Sequence, residues 1–254
     1  VALTERGNGL HYVLIQLLWI TIGLAIFRWI VHTPLDRLLK VSGVLVLSLL
    51  GLITLTLIPS LGVTVNGATR WLPLGPFMIQ PSELMKPCLL LQGARLFGRW
   101  HQLNWQTRLT WLGIFMSILA TILMQPNLST AAICGLTLWL IALAAGIPYR
   151  YIGMTALGGF MAAFASVSIN PYQRHRIISF LDPWADPGAN GYQLVQSLLA
   201  IGSGGFWGQG FGLSQQKLYA LPIQYTDFIF AVYAEEFGFL GALVLLSLLA
   251  VYAT

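Results

Sequence analysis

Residues 41–60, VSGVLVLSLLGLITLTLIPS, run for twenty positions without a charged side chain. Coiled into a helix rising about 1.5 Å per residue, such a run matches the roughly 30 Å hydrocarbon core of a bilayer. Similar stretches recur on either side of it, at 12–31, 79–97, 110–125, 128–146, 151–169 and 226–252, which makes seven predicted spans. The 254 residues are 57% hydrophobic and 8% charged. A soluble domain carries about 25% charged residues, so this composition excludes an ordinary water-facing surface. The chain reads as an all-α integral membrane protein, a polytopic bundle forming one domain over 1–254. It opens at Val1 without a basic segment and cleavage site, and closes at Thr254 in or just past an apolar run, so it reads as a fragment, incomplete at both ends.

Charge gives the orientation. Arg28, Arg37, Lys40, Arg95, Arg99, Arg108 and Arg150 fall in or beside the connections on one side, whereas the short connections opposite carry Arg6 and Arg70. The positive-inside rule makes the first side cytoplasmic. Residues 1–10, 61–78, the tight turn 125–127 and the loop 170–225 then lie outside. The net charge of +5 follows from this orienting set. It calls for membrane lipids and not nucleic acid as the anionic partner. A connection of about 56 residues, as 170–225 is, is far longer than usual and points to function. Within it LVQSLLAI reads as a short amphipathic helix, and the glycines of GSGGFWGQGFG predict close backbone approach or a re-entrant turn in place of another span.

Several residue groups could carry chemistry. Asp182 and Asp186 each precede a proline, which biases them toward extended or turn backbone; they are either turn formers or a carboxylate base. Arg174, His175 and Arg176 stand beside them, as an anion site or as a basic patch against lipid headgroups. Glu83 and Lys86, three residues apart, share one helix face and can pair. Pro81 and Ser82 supply a helix start, and Pro87 predicts a kink. Of Glu235 and Glu236 at least one should lie inside the membrane, with packing or hydrogen bonding as open as catalysis. Cys88 and Cys134 read as small buried hydrophobes. No metal-ligand pattern, P-loop, dinucleotide fingerprint or G-x-S-x-G elbow is present. The chemistry narrows to carboxylates and cations near the outer face, which fits a transporter as well as an enzyme.

The segments NGATRWLPLGPFMIQPSELMK (66–86), QPNLSTA (125–131) and FLDPWADPGANGYQLVQSLLAIGSGGFWGQGFGLSQQKLYALPIQYTDFIFAVYAEEFGFLG (180–241) resemble the SEDS family of shape, elongation, division and sporulation proteins, which includes FtsW, RodA and SpoVE. The seven spans then look like the second to eighth of the family's ten helices. The PW of LDPWADP and the GQGFGLSQQK segment look more like the division branch than the elongation branch. The resemblance implies a peptidoglycan glycosyltransferase that polymerises lipid II outside the bacterial cytoplasmic (inner) membrane, at the division septum. Its implied partners are lipid II, undecaprenyl-linked glycan, a class B penicillin-binding protein and other division proteins. The family's catalytic aspartate, in the context D-P-x-x-x-G-Y-Q, maps onto Asp186. The QPSE-x-x-K segment makes Glu83 and Lys86 cavity residues, and NGA-x-RW includes Arg70. One departure stands at 125–130, where the family reads QPDLGT and this chain has QPNLST; a metal or acid role at Asn127 is therefore not expected.

The mechanism so implied has Asp186 as general base on the 4-hydroxyl of an incoming lipid II, attacking the anomeric carbon of the growing lipid-linked chain with inversion. Arg70, Lys86, Arg174 and Arg176 are the candidate cations for the departing polyprenyl diphosphate. No cofactor is required, and a divalent cation, magnesium or manganese, can share that task without a protein cage. Three alternatives stay open: a transporter flipping the same lipid, an elongation-type polymerase, and a non-catalytic scaffold.

Overall fold

The computed structural model describes residues 9–58, 60–65, 68–74, 77–189, 191–216 and 227–253. They fall into two units, 23–173 and the combination of 1–22 with 174–254. Helix α1 (Gly9–His32) has residues in both, and its described side chains, 13–32, are all exposed. Apolar side chains facing outward along a helix of this length are what lipid, acting as solvent, requires.

The first unit holds α2 (Leu35–Thr56), strands β1 (Val63–Val65), β2 (Ala68–Leu74) and β3 (Phe77–Ile79), then α3 (Pro81–Phe97), α4 (Trp105–Met124), α5 (Leu128–Ala144) and α6 (Tyr149–Ile169). Local chemistry sets several of the starts. Pro81 occupies the first turn of α3, where its missing N–H costs nothing. Asn104 caps α4 by accepting from the Thr107 N–H at 2.9 Å, and Asn127 caps α5 by accepting from Thr130 at 3.4 Å. Helix α3 packs against α2 and α5, and Val46, Ile53, Met85, Leu89, Ile118, Ile122 and Cys134 are fully buried around it. Between helices in lipid the hydrophobic effect is weak, so small residues and polar contacts hold the bundle. A Cβ on Gly93 would lie 3.1 Å from a methyl of Leu138, and Ser42 Oγ donates to Gln92 Oε1 at 2.7 Å in the interior.

The second unit holds α7 (Pro171–Leu181) from Arg174 onward, a 3-10 turn at Pro183–Ala185, α8 (Tyr192–Gly204) and α9 (Ile229–Ala253). The segment LVQSLLAI lies inside α8, whose inner face buries Val195, Ser197, Ala200 and Gly204. Helix α8 packs against α9 through alanines and glycines.

Helices form at all seven predicted spans. Five of them, within α1, α2, α4, α6 and α9, are long and apolar enough to cross a membrane. Helix α5 is apolar but has 17 residues, and α3, also of 17, carries Glu83, Lys86 and Arg95. The helical class holds with one addition, because the connection 61–78, read only as lying outside, forms a three-stranded antiparallel sheet. Val63 pairs with Trp71 and Leu72 with Ile79. Asn66 and Gly67, between β1 and β2, lie outside the described residues, as does Arg6.

Candidate functional site

Asp186 follows the 3-10 turn at φ −140°, ψ 68°, and its side chain is exposed. Its carbonyl accepts from the Gly191 N–H at 2.9 Å, one residue before α8 begins. Gly191 has to be glycine here, since a Cβ would fall 2.1 Å from the Pro183 carbonyl oxygen. The two ends of the D-P-G-A-N-G segment are thus tied together, which fixes the aspartate's backbone while leaving its carboxylate at the surface. Asp182 precedes the same turn and its carbonyl accepts from Ala185 at 3.3 Å. Both aspartates shape this turn.

Arg174, His175 and Arg176, expected in a loop, lie on α7 with their side chains exposed. They supply positive charge in the second unit, one helix ahead of Asp186.

The first unit holds a separate charged pair of its own, at the start of α3. Lys86 Nζ lies 2.6 Å from Glu83 Oε2, with side-chain exposures of 30% and 50%. The pair sits in the first turns of α3, on the shared face that its spacing predicts. Pro87 lies within the helix. A pair this exposed contributes little to folding, and Glu83→Gln should shift stability by less than about 1 kcal/mol. Thermal unfolding of the purified full-length protein checks this; a larger loss would make the pair structural.

Arg70, on β2, has a defined task. Its Nη2 donates to the Pro126 carbonyl at 2.7 Å and its Nε to that of Gln125 at 3.4 Å, clamping the sheet to the turn between α4 and α5. Gln125 is buried and bonds Thr56 of α2, so sheet, turn and helix are linked in one polar chain. Removing the guanidinium with Arg70→Ala should cost about 1–3 kcal/mol, the range for a charged donor lost from partly buried acceptors. A melting curve unchanged by that substitution would show the clamp to be idle.

Among the described residues no group of three or more His, Cys, Asp or Glu comes together. A cavity of about 280 Å³ opens at the opposite end of the first unit, lined in part by Asp36, Lys40, Arg95 and Arg99. Between that end and the Glu83–Lys86 pair, the buried polar side chains Ser42 and Gln92 are bonded to each other.

A family model described as cell cycle protein, for FtsW, RodA and SpoVE, matches residues 1–254. The chain belongs to this family. One family member, from Synechocystis sp. (strain ATCC 27184 / PCC 6803 / Kazusa) and named "Probable peptidoglycan glycosyltransferase FtsW", is 56% identical over 253 residues, covering 100% of this chain and 64% of that protein. A protein of the same name from Saccharophagus degradans is 37% identical, over 91% of this chain and 61% of its own length. A solved structure reported as "Structural coordination of polymerization and crosslinking by a peptidoglycan synthase complex" aligns with 98% of this chain and 70% of its own at TM-score 0.71 and 28% identity. The chain therefore spans less than two thirds of the length of these curated FtsW-named relatives. FtsW, RodA and SpoVE membership together with five apolar spanning helices makes it a multi-pass membrane protein.

What the sequence reading left open is the set of partners of Glu235. Its carboxylate is 1% exposed and accepts from Ser214 Oγ at 2.5 Å, from the Gln215 N–H at 3.1 Å and from the Gln216 N–H at 3.4 Å. The available signal was a carboxylate in an apolar run that follows a glycine- and glutamine-rich segment.

Proposed function

We propose that the full-length protein is a peptidoglycan glycosyltransferase of the FtsW type, polymerising lipid II at the outer face of the bacterial cytoplasmic membrane during septal wall synthesis. The observation that carries this reading is an exposed aspartate held in a tied turn, in a chain 56% identical along its whole length to a relative bearing that name. Asp186 is the general base: it takes the proton from the 4-hydroxyl of the incoming lipid II as that oxygen attacks the anomeric carbon of the growing glycan. The bond to the diphosphate oxygen breaks on the opposite side of the ring, so the configuration inverts and a β-1,4 linkage forms. A rigid backbone serves this step, because a general base must sit within hydrogen-bond reach of its proton. Arg174 and Arg176, exposed on the helix that precedes the Asp186 turn, supply the charge that binds and stabilises diphosphate. Arg70 holds the outer sheet in place, and a divalent ion arriving on the diphosphate counts as part of the substrate.

The solved complex of polymerisation and crosslinking supports a class B penicillin-binding protein as the working partner. The FtsW names borne by its relatives favour division over elongation. The test is reconstitution of the full-length protein with that partner in bilayer discs and addition of labelled lipid II. Glycan polymer with release of polyprenyl diphosphate supports the reading. A folded, partner-bound protein that leaves lipid II intact, or moves it across a vesicle membrane without joining it, overturns the reading. A fluorescent fusion gathering along the side wall and absent from the septum would assign the chain to elongation.

A further inference from the structure

Helix α9 is broken at Gly238, where φ is 67° and ψ is −165°, a combination open in practice to glycine alone. Across an unbroken turn the Phe239 N–H would pair with the Glu235 carbonyl and that of Leu240 with Glu236. Here the partners are exchanged. Phe239 donates to the Gly205 carbonyl at 2.9 Å and Leu240 to that of Phe206 at 3.3 Å, while the Glu235 and Glu236 carbonyls accept from Gln209 at 2.9 Å and Gly210 at 3.0 Å. Glycine-rich residues 205–210 thus replace the missing turn of α9. Close approach is enforced by three glycines: a Cβ on Gly204 would lie 2.1 Å from the Ala234 oxygen, one on Gly208 2.2 Å from that of Glu236, and one on Gly238 2.3 Å from the Gly208 nitrogen.

Glu235 completes this clasp with its side chain. Its backbone carbonyl holds residue 209, and its carboxylate holds Ser214, Gln215 and Gln216. The clasp lies at the C-terminal end of α8, and the other end of that helix is tied through Gly191 to the Asp186 carbonyl. One rigid element therefore joins the buried glutamate to the exposed aspartate.

We propose that Glu235 is a positioning residue: by fixing residues 205–216 onto the break in α9 it anchors α8, and through α8 sets the place of the Asp186 carboxylate. The inference rests on the polymerase reading for its kinetic consequence, but not for its structural one. Glu235 touches no substrate and transfers no proton. Its removal leaves a buried hydroxyl and two part-buried backbone amides without their acceptor, releasing the loop and the near end of α8 together.

The experiment compares wild type, Glu235→Ala and Glu235→Gln in the full-length protein bound to its partner. Amide hydrogen exchange over residues 186–216 and the kcat and KM for lipid II are both measured. Glu235→Ala should speed exchange tenfold or more at 205–216 and at 191–195, and lower kcat at least tenfold with KM within about twofold. Glu235→Gln keeps an acceptor for the two amides and should recover most of both. Unchanged exchange in the alanine variant overturns the proposal whatever the activity. So does an alanine variant with wild-type kcat. A glutamine variant as inactive as Asp186→Asn, with exchange intact, would place Glu235 in the chemistry and overturn it too. If Glu235→Ala does not fold, the glutamine variant decides alone: full kcat and native exchange support positioning by hydrogen bonds, and loss of either refutes it. If wild type forms no polymer, the polymerase reading fails, and the exchange data still decide whether Glu235 anchors α8.

Discussion

Asp186→Asn should abolish glycan polymer while leaving the protein folded and bound to its partner. The loss expected for a general base is about 10²–10⁴-fold. The substitution removes the proton acceptor and keeps the size of the side chain. Asparagine matches aspartate in size, and the contact that fixes the turn uses the backbone carbonyl, which accepts from Gly191 whatever the side chain. The side chain is exposed, so stability should change by less than about 0.5 kcal/mol. Asp182→Asn provides the control. It stands on the same 3-10 turn with its own backbone bond to Ala185, so polymer should persist within about threefold, well short of a lost general base. Polymer yield from labelled lipid II, read beside melting curves for both variants, checks the pair. Normal polymer from the Asp186 variant would return that residue to turn formation and move flipping or scaffolding forward. Loss in both variants would mean that the turn, and not one carboxylate, had been damaged.

Gly238→Ala should prevent the second unit from forming. Alanine has to enter a backbone region where L-residues are strained by about 1–3 kcal/mol. Its Cβ would also lie 2.3 Å from the Gly208 nitrogen and 2.7 Å from the Phe206 oxygen, atoms that belong to the clasp and cannot swing aside like a side chain. Together these exceed about 4 kcal/mol, a large fraction of the stability of most domains. The matched control is Gly202→Ala, because that glycine lies in α8 with nothing within 4 Å of its Cβ. Helix propensity should make this change neutral or stabilising by up to about 1 kcal/mol. Size-exclusion profiles in mild detergent and thermal unfolding separate the two. A monodisperse Gly238→Ala protein melting with wild type would show that α9 is continuous in solution.

The helices were legible because each rests on a local pattern, an apolar run of spanning length. Proline and asparagine at the starts of α3, α4 and α5 sharpened the boundaries for the same local reason. The small sheet was missed because its strands of three and seven residues offer too little alternation to register against the apolar background. Asp186 could be named from its context, but the bond that ties its turn lies between backbone atoms, of which side-chain types give no sign. Arg70 was read as a cation for diphosphate, and its contacts with Gln125 and Pro126, some 55 positions away, are set by tertiary structure alone. Glu235 was left between hydrogen bonding and catalysis, and its three donors, at 214–216, lie about twenty positions away, where no local pattern points to them.

The exchanged backbone bonds at Gly238 also constrain how the chain enters the bilayer during synthesis. An interrupted helix cannot pass alone into hydrocarbon, where each orphaned amide or carbonyl costs several kcal/mol. Residues 205–210 are made before α9, so their carbonyls and amides can already be waiting when it arrives. Transplanted as a single anchor onto another protein, residues 229–253 would instead close into one unbroken helix. The bend is therefore a property of the pair of segments, acquired at the moment they meet.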